Sequence, residues 1–356
     1  MPPLLRYLIR RLVSIPLTLL IVTAVLYGVV MMTPAETRAT LYMPRNTGPR
    51  MTEEQYQAML ERMIEKYHLN DPYPVQYYYW LGNLLQGNWG YSPTLQQDVL
   101  TGILQRTPAT YELTLYSILV FIPLGLVSGV ISASRQHGLS DRSFRLAAFV
   151  ATSLPPFILA MILIATFYIN LHWFGLGRTS TAFGQVVSSE GFKTYTGLLT
   201  LDGLLNKRPD ISLDALRHLV MPVFTLAIAH WATLGRVTRA TMIEELQKDY
   251  VIAARAHGIP GKKIIWRHTL RNAFTPALTS SLLSAAALLT GVYVVEIIFN
   301  INGISALAVG SMAFVPDAPA AMGFAIYSVL AVLVLMAVLD LIQALLDPRL
   351  REENLR

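Results

Sequence analysis

The side chains able to do chemistry in this 356-residue chain are few, and none falls into a catalytic spacing. There is no H-E-x-x-H pair for a metal, no G-x-S-x-G elbow for a serine nucleophile, and no carboxylate pair spaced as an acid–base dyad. The chain has no cysteine, which excludes disulfides, thiolate metal sites and a thiol nucleophile and leaves the redox compartment open. Gly258-Ile-Pro-Gly261-Lys262-Lys263 approaches a phosphate-binding loop. It lacks the G-x-x-x-x-G-K-S/T spacing and follows no strand, so neither ATP hydrolysis nor a resident cofactor or metal is expected of this chain. What remains is a handful of ionisable groups in or beside apolar sequence: Glu112, His172, His230, Glu296 and Asp340. Charge is costly in lipid, which makes each a functional candidate. Glu112, His172 and Glu296 lie near the ends of apolar runs, where water can reach them. Asp340 reads as an inter-subunit or helix-capping contact in preference to a substrate ligand.

The elements that must position these groups are apolar. Hydrophobic residues make up 53% of the chain and charged ones 14%, against about 25% charged in soluble domains. The deficit points to lipid. Runs near 12–32, 112–133, 146–170, 216–234, 276–299 and 321–346 are each close to the roughly 20 residues that a bilayer core demands. The fold expected is an all-α integral membrane protein with six transmembrane helices. Arg6, Arg10 and Arg11 before the first run resemble the start of a signal peptide, and Thr33-Pro34-Ala35 is a weak cleavage site. The run is too long for a signal core and five more follow, so an uncleaved anchor helix is the reading.

The net charge of +6 is spread in short clusters between apolar runs, which suits membrane topology and not nucleic acid. An N-terminus inside the cell places 1–11, 134–145, 235–275 and 347–356 in the cytoplasm, and these hold more than half of the 28 Lys and Arg. Both termini are then cytoplasmic. The chain divides into 1–32 (N-terminus and first span), an extracytoplasmic segment 33–111, a transmembrane domain 112–346 with a cytoplasmic loop at 235–275, and a tail 347–356.

Within the outer segment, Thr52 and Gln55 form a capping box, and Tyr56, Met59, Leu60, Met63 and Tyr67 recur at helical spacing. A helical insertion over 52–68 is expected. Tyr77, Tyr78, Tyr79, Trp80 and Trp89 suit an interfacial belt, with a sugar- or base-stacking platform as the competing reading. The second outer segment, Gly175 to Leu213, is rich in Gly, Ser and Thr and reads as irregular. Pro123 is expected to interrupt the second helix, and Pro155-Pro156 to kink the third. Gly125 with Gly129, and Ala287 with Gly291, have small-residue spacing for close helix packing.

The charged island 234–278 has a pattern of its own. Ala253-Ala254 and Gly258 precede Pro260-Gly261, then His268, Leu270, Arg271, Asn272 and Ala273, with Glu245 and Asp249 one helical turn apart upstream. It resembles the loop by which membrane subunits of binding-protein-dependent ABC importers grip their ATPases. RYLIRRLVSIPLTLLIVTAVLYGVVMMTP, WLGNLLQGNWGYS, SLPPF, LRHLVMPVFTLA and the closing ALLDPRLR resemble, in order, the B-type subunit of dipeptide and oligopeptide importers. Ile252 stands where the broader motif has Glu, and Arg271 where it has Pro; segments 33–70 and 171–215 match least.

The resemblance implies a type I ABC importer permease fold and a path for peptides, with nickel complexes, glutathione or oligosaccharides as alternative cargo. It implies a C-type membrane partner, two cytoplasmic ATPase subunits that use ATP and Mg, and an extracytoplasmic solute-binding protein. The setting would be a bacterial or archaeal cytoplasmic membrane. Glu245, Asp249, Ala253, Ala254, Arg255, Gly258, His268, Arg271 and Asn272 would couple to the ATPase. Pro155, Pro156, Ser280, Ser284, Thr290 and Tyr293 are candidates to line the path. An ion-coupled secondary transporter would need intramembrane carboxylates, which are scarce. A passive scaffold would need neither the kinked helices nor the island.

Overall fold

A computed structural model describes residues 3–40, 52–313 and 317–346. The side chains of Arg6, Arg10, Arg11 and Asp340 and the tail 347–356 lie outside the described part. In chain order the helices are α1 (Pro3–Val30), α2 (Ala35–Thr40), α3 (Glu53–Lys66), α4 (Tyr73–Leu85), α5 (Val99–Ser134), α6 (Leu139–Ser153) and α7 (Pro156–Leu163). They continue as α8 (Thr181–Val187), α9 (Leu199–Leu205), α10 (Pro209–Leu246), α11 (Asp249–Ala256), α12 (Gly261–Lys263), α13 (Leu270–Ile298), α14 (Ser305–Ala313) and α15 (Ala318–Leu346). π-helical turns Ile164–Asn170 and Ile264–Thr269 extend α7 and join α12 to α13. A two-stranded hairpin, β1 (Tyr91–Ser92) with β2 (Gln97–Asp98), precedes α5.

Among the described residues, five helices are long and apolar enough to cross a membrane: Val13–Val30, Val99–Ser134, Pro209–Leu246, Gly261–Ile298 and Ala318–Val338. The remaining expected span, the third at 146–170, is α6 and α7 with its π turn, bent by 101°. Tandem proline explains the break. Leu154 (φ −90°, ψ 117°) and Pro155 (φ −57°, ψ 138°) are both extended, the first because a residue before proline is pushed out of the helical region. Pro156 then starts α7 at a position where its missing N–H costs nothing. Pro123, by contrast, does not interrupt its helix: α5 runs unbroken through Pro108 and Pro123.

The chain folds as two compact units, one holding residues 106–305 and the other 9–105 with 306–330. The core of the first unit joins α5, α10 and α13 through Leu113, Phe121, Leu219, Met221, Leu234, Leu288 and Val292. In lipid this packing gains little from the hydrophobic effect and depends on close fit. Gly129 supplies it, since a Cβ there would lie 2.7 Å from both Gly235 O and Thr238 Cβ. The segment 235–275, expected as a loop, is mostly helical: α10 continues through Leu246 before α11 and α12. The second outer segment is not wholly irregular either, because α8 and α9 form there. Leu199 of α9 packs on Ile211 and Ala215, which starts α10 at Pro209 and not at 216.

In the second unit the capping box of α3 is complete. Thr52 Oγ1 accepts from Gln55 N and Gln55 Oε1 from Thr52 N. The hairpin is tied to the start of α15 by Asp317, whose carboxylate accepts from Ser92 Oγ at 2.5 Å, Thr94 N at 3.1 Å and Ala320 N at 3.0 Å. α5 accordingly begins at Val99, well before 112.

Candidate functional site

The coupling candidates gather at the elbow from α10 through α11 to α13. α11 has eight residues, too few to hold a helix alone. It is fixed at three points. Val251 is fully buried on its inner side. Asp249 opens the helix, where a carboxylate favours the N-terminal dipole. A Schellman closure ends it: Ile259 N donates to Ala254 O at 3.1 Å and Gly258 N to Arg255 O at 2.9 Å. Gly258 has φ +74°, a conformation that side chains resist. Pro260 then starts the next helix.

Glu245, at the end of α10, accepts from Tyr250 Oη at 2.8 Å and pairs with Lys248. Asn272, at the start of α13, bonds both Glu245 and Tyr250. Burial raises the Tyr250 hydroxyl above its ordinary range and keeps it a donor. Three helices, α10, α11 and α13, are thereby pinned together by one small polar cluster. Tyr250 was missing from the candidates, though its place within DYVIAA put it on the same element. The remaining candidates are not drawn into the cluster. Ala253, Arg255, Gly258 and Arg271 are exposed, Ala254 is half-buried, and His268 is half-buried in the π turn with Nε2 unbonded. With Ile252 and Ala256, also exposed, Ala253 and Arg255 form an outward face that is nearly flat, because two of its side chains end at Cβ.

The path candidates separate. Along α13 an exposed stripe runs through Pro276, Thr279, Leu283, Ala287, Thr290, Val294 and Ile297, a regular three-and-four spacing of small, weakly polar and aliphatic groups. Thr290 belongs to it. Ser280 and Tyr293 are half-buried at its borders, and Pro155 and Pro156 are exposed at the α6–α7 break. Ser284 is buried, facing the chain's own bundle, which takes it off any lining surface. Its place in a helix facing two ways, not its polarity, decides this.

Glu112 and Glu296, expected to face water, are enclosed. Glu112 Oε1 accepts from Thr200 N and Oγ1, both at 2.8 Å, and Oε2 from Arg178 Nη2 at 2.7 Å. Glu296 Oε1 accepts from Thr110 Oγ1 at 2.5 Å and Oε2 from Ser305 N at 3.0 Å, while Ile304 N donates to Thr110 Oγ1. Their near-complete burial is affordable only because these donors replace water. His172 is exposed and His230 half-buried beside Phe121. Two groups escaped the sequence reading. Asp141 is fully buried, accepting from Ser132, His137 N and both Nε and Nη2 of Arg239. Its signal was to be the one acid in a basic turn. His218 is buried against Asp214 O at 2.8 Å. Among the described residues no cluster of His, Asp and Glu could hold a metal ion.

Comparison with known proteins shows the family. Residues 122–352 match the family described as binding-protein-dependent transport system inner membrane component. Residues 4–114 match the description binding-protein-dependent transport system membrane component, N-terminal. The oligopeptide transport system permease protein AppB of Bacillus subtilis (strain 168) is 33% identical over 97% of this chain and 98% of the relative. The di/tripeptide transport system permease protein DppB of Pseudomonas aeruginosa (strain UCBPP-PA14) is 30% identical over 98% of this chain and all of the relative. The probable D,D-dipeptide transport system permease protein DdpB of Escherichia coli (strain K12) is 32% identical over 82% of this chain and 84% of the relative.

Proposed function

Because the chain belongs to the family of binding-protein-dependent transport system inner membrane components, we propose that it is a permease subunit of an ATP-driven importer. It would form one half of the path for peptides handed over by an external binding protein. The named relatives are peptide permeases, which supports this cargo. The observation that carries the mechanism is the elbow. α11 presents Ile252, Ala253, Arg255 and Ala256 outward while its inner side is fixed to α10 and α13. An ATPase subunit docked on that face would move α11, and the Glu245–Tyr250–Asn272 cluster would pass the motion into two long helices at once. Alternation between inward- and outward-open states follows from helices that move as rigid bodies.

The exposed stripe of α13 suits a path that accepts varied side chains, with a second, similar membrane subunit closing the other half. It carries no charged residue to hold a terminal amine or carboxylate, so selection falls to the binding protein. ATP and Mg belong to the two partner ATPases, and this chain performs no catalysis. With both termini in the cytoplasm of a bacterial or archaeal cell, Gln57→Cys and Ser189→Cys react with an impermeant thiol reagent added outside intact cells, and Lys262→Cys does not. The deciding experiment is the purified complex in vesicles, tested for ATP hydrolysis and uptake with candidate binding proteins and their peptides. Stimulation by a peptide-loaded binding protein is expected. A chain that retains no ATPase subunit, or a complex that no peptide-loaded binding protein stimulates, overturns the reading.

A further inference from the structure

The segment after the first span does not simply leave the membrane. α4 crosses α1 at residues that belong to the apolar span Val13–Val30. Tyr73 Oη donates to Ala24 O, Tyr77 Oη bonds Thr23 Oγ1 at 2.9 Å and donates to Leu20 O at 3.1 Å, and Tyr27 packs against Tyr73, Tyr77 and Trp80. At about 1.5 Å per residue, Leu20 to Tyr27 lie roughly 5 to 15 Å below the end of that span, within one leaflet.

The central amide of α4, Gln76, is turned away from the surface and satisfied, and Asn83, in its last turn, is exposed. Gln76 is buried, donating to Leu69 O and Asp71 O and accepting from Arg38 Nη1 at 2.7 Å. The helix's outward side is mainly apolar and aromatic: Val75, Tyr78, Tyr79 and Leu85, with Tyr78 at 73% and Leu85 at 80% exposure. No Asp, Glu, Lys, Arg or His occurs in YPVQYYYWLGNLL. The preceding helix, α3, reads EEQYQAMLERMIEK and is charged throughout, as a helix facing water should be. One side of α4 is therefore anchored to a membrane helix at membrane depth, and the other carries no charged group, its only polar tips being the hydroxyls of Tyr78 and Tyr79 and the Asn83 amide near its end. Scattered exposed apolar residues need no explanation, but a continuous stripe adjoining another does. The helix that α4 contacts is itself exposed at Ile21, Val25 and Val29.

We propose that α4 is an interfacial helix, lying across the C-terminal half of α1 with Val75, Tyr78, Tyr79 and Leu85 against the phospholipid of that leaflet. Tyrosine and tryptophan rings favour this depth, their apolar bodies in the acyl boundary and their polar tips at the headgroups. Tyr79 marks the water edge, since it stacks on His68, itself paired with Asp71. The chain would thus return to the membrane once between the first span and α5, holding α4 to α1 through contacts within the bilayer.

The cysteine-free chain makes the test direct. Single replacements Tyr78→Cys, Leu85→Cys and Val75→Cys, each spin-labelled in the assembled complex, are compared in phosphatidylethanolamine/phosphatidylglycerol vesicles for collision with oxygen and with a water-soluble nickel chelate. Val25→Cys on α1 reports lipid and Glu61→Cys on α3 reports water. The oxygen-to-nickel ratio at all three α4 sites is expected to match Val25→Cys and to be inverted at Glu61→Cys. A ratio like that of Glu61→Cys, or protection from both reagents as under a bound protein, overturns the proposal. A ratio that falls when the external binding protein is added overturns it too, in favour of a docking surface. Val75→Cys keeps the test open if either of the larger replacements disturbs assembly.

Discussion

The elbow at α11 and the carboxylate knot around Glu112 and Glu296 use the same polar residue types in opposite ways. In the knot both carboxylates are enclosed, and every oxygen accepts a hydrogen bond from the chain itself. Nothing is left for a partner. In the elbow only Glu245, Tyr250 and Asn272 are tied inward, and Ile252, Ala253, Arg255 and Ala256 face out. A Cβ built on Gly258 would meet nothing within 4 Å. The difference teaches that an ionisable residue in a span is a functional candidate only until its bonds are counted. The knot's groups are spent on structure, and the elbow's are held open.

The largest effect expected is on the knot. Glu112→Ala leaves Thr200 N and Thr200 Oγ1 without their acceptor in an enclosed place and strips the Arg178 guanidinium of its carboxylate, leaving it with Gly197 O. Removing one partner of a buried pair costs about 3–5 kcal/mol. The chain should accumulate poorly in the membrane, and what is recovered should unfold at a clearly lower temperature in detergent. Normal yield and an unchanged melting temperature, with transport selectively lost, would make the knot a working site and erase the contrast.

The elbow should show the reverse signature. Ala253→Asp and Gly258→Trp change exposed positions, so the chain itself should lose little beyond about 1–2 kcal/mol of backbone strain at Gly258. Docking should fail, because an unpaired charge or a large ring would sit in a packed contact, a class of change worth about 2–5 kcal/mol to an interface. Uptake should vanish and ATPase subunits should no longer co-purify, at normal membrane levels of the chain. Both variants transporting normally with ATPases bound would remove α11 from the coupling path.

The same contrast explains what could be read in the sequence. The capping box of α3 and the close of α11 were legible because their parts are neighbours, Thr52 with Gln55, and Gly258 with Pro260-Gly261. The apolar spans were legible from composition alone. The knot was not, because Glu112 meets Thr200 from 88 residues away and Glu296 meets Thr110 from 186. Proline gave the right type of signal without its size. α5 absorbs Pro123, while the tandem at Pro155-Pro156 forces two extended residues and a 101° bend. Ser284 is buried within the chain while Thr290 is exposed, because polarity does not say which side of a helix a residue occupies.

A smaller effect separates strain from bulk within the elbow. Gly258→Ala keeps the open space, since no heavy atom lies within 4 Å of its Cβ. It still places a side chain at φ +74°, which costs about 1–2 kcal/mol. Thermal stability should fall slightly and uptake should persist at reduced rate. Loss of uptake equal to that of Gly258→Trp would mean that the turn's geometry, and not room for a partner, is what the position supplies.

The smallest effect is expected at Tyr250→Phe, and it tests whether the inner cluster of the elbow is itself a knot. The change removes one donor to Glu245, at 2.8 Å, and one partner of Asn272. Glu245 keeps Lys248 and Asn272, and it is only partly enclosed, so water can replace what is lost. A hydrogen bond of this kind contributes about 1 kcal/mol. Membrane level and ATPase co-purification should be unchanged, with at most a modest fall in peptide uptake per ATP hydrolysed. If Tyr250→Phe instead depleted the chain as Glu112→Ala should, the elbow would owe its shape to an enclosed network as the knot does. The outward face of α11 would then be a by-product of that network and not the surface it was built to present.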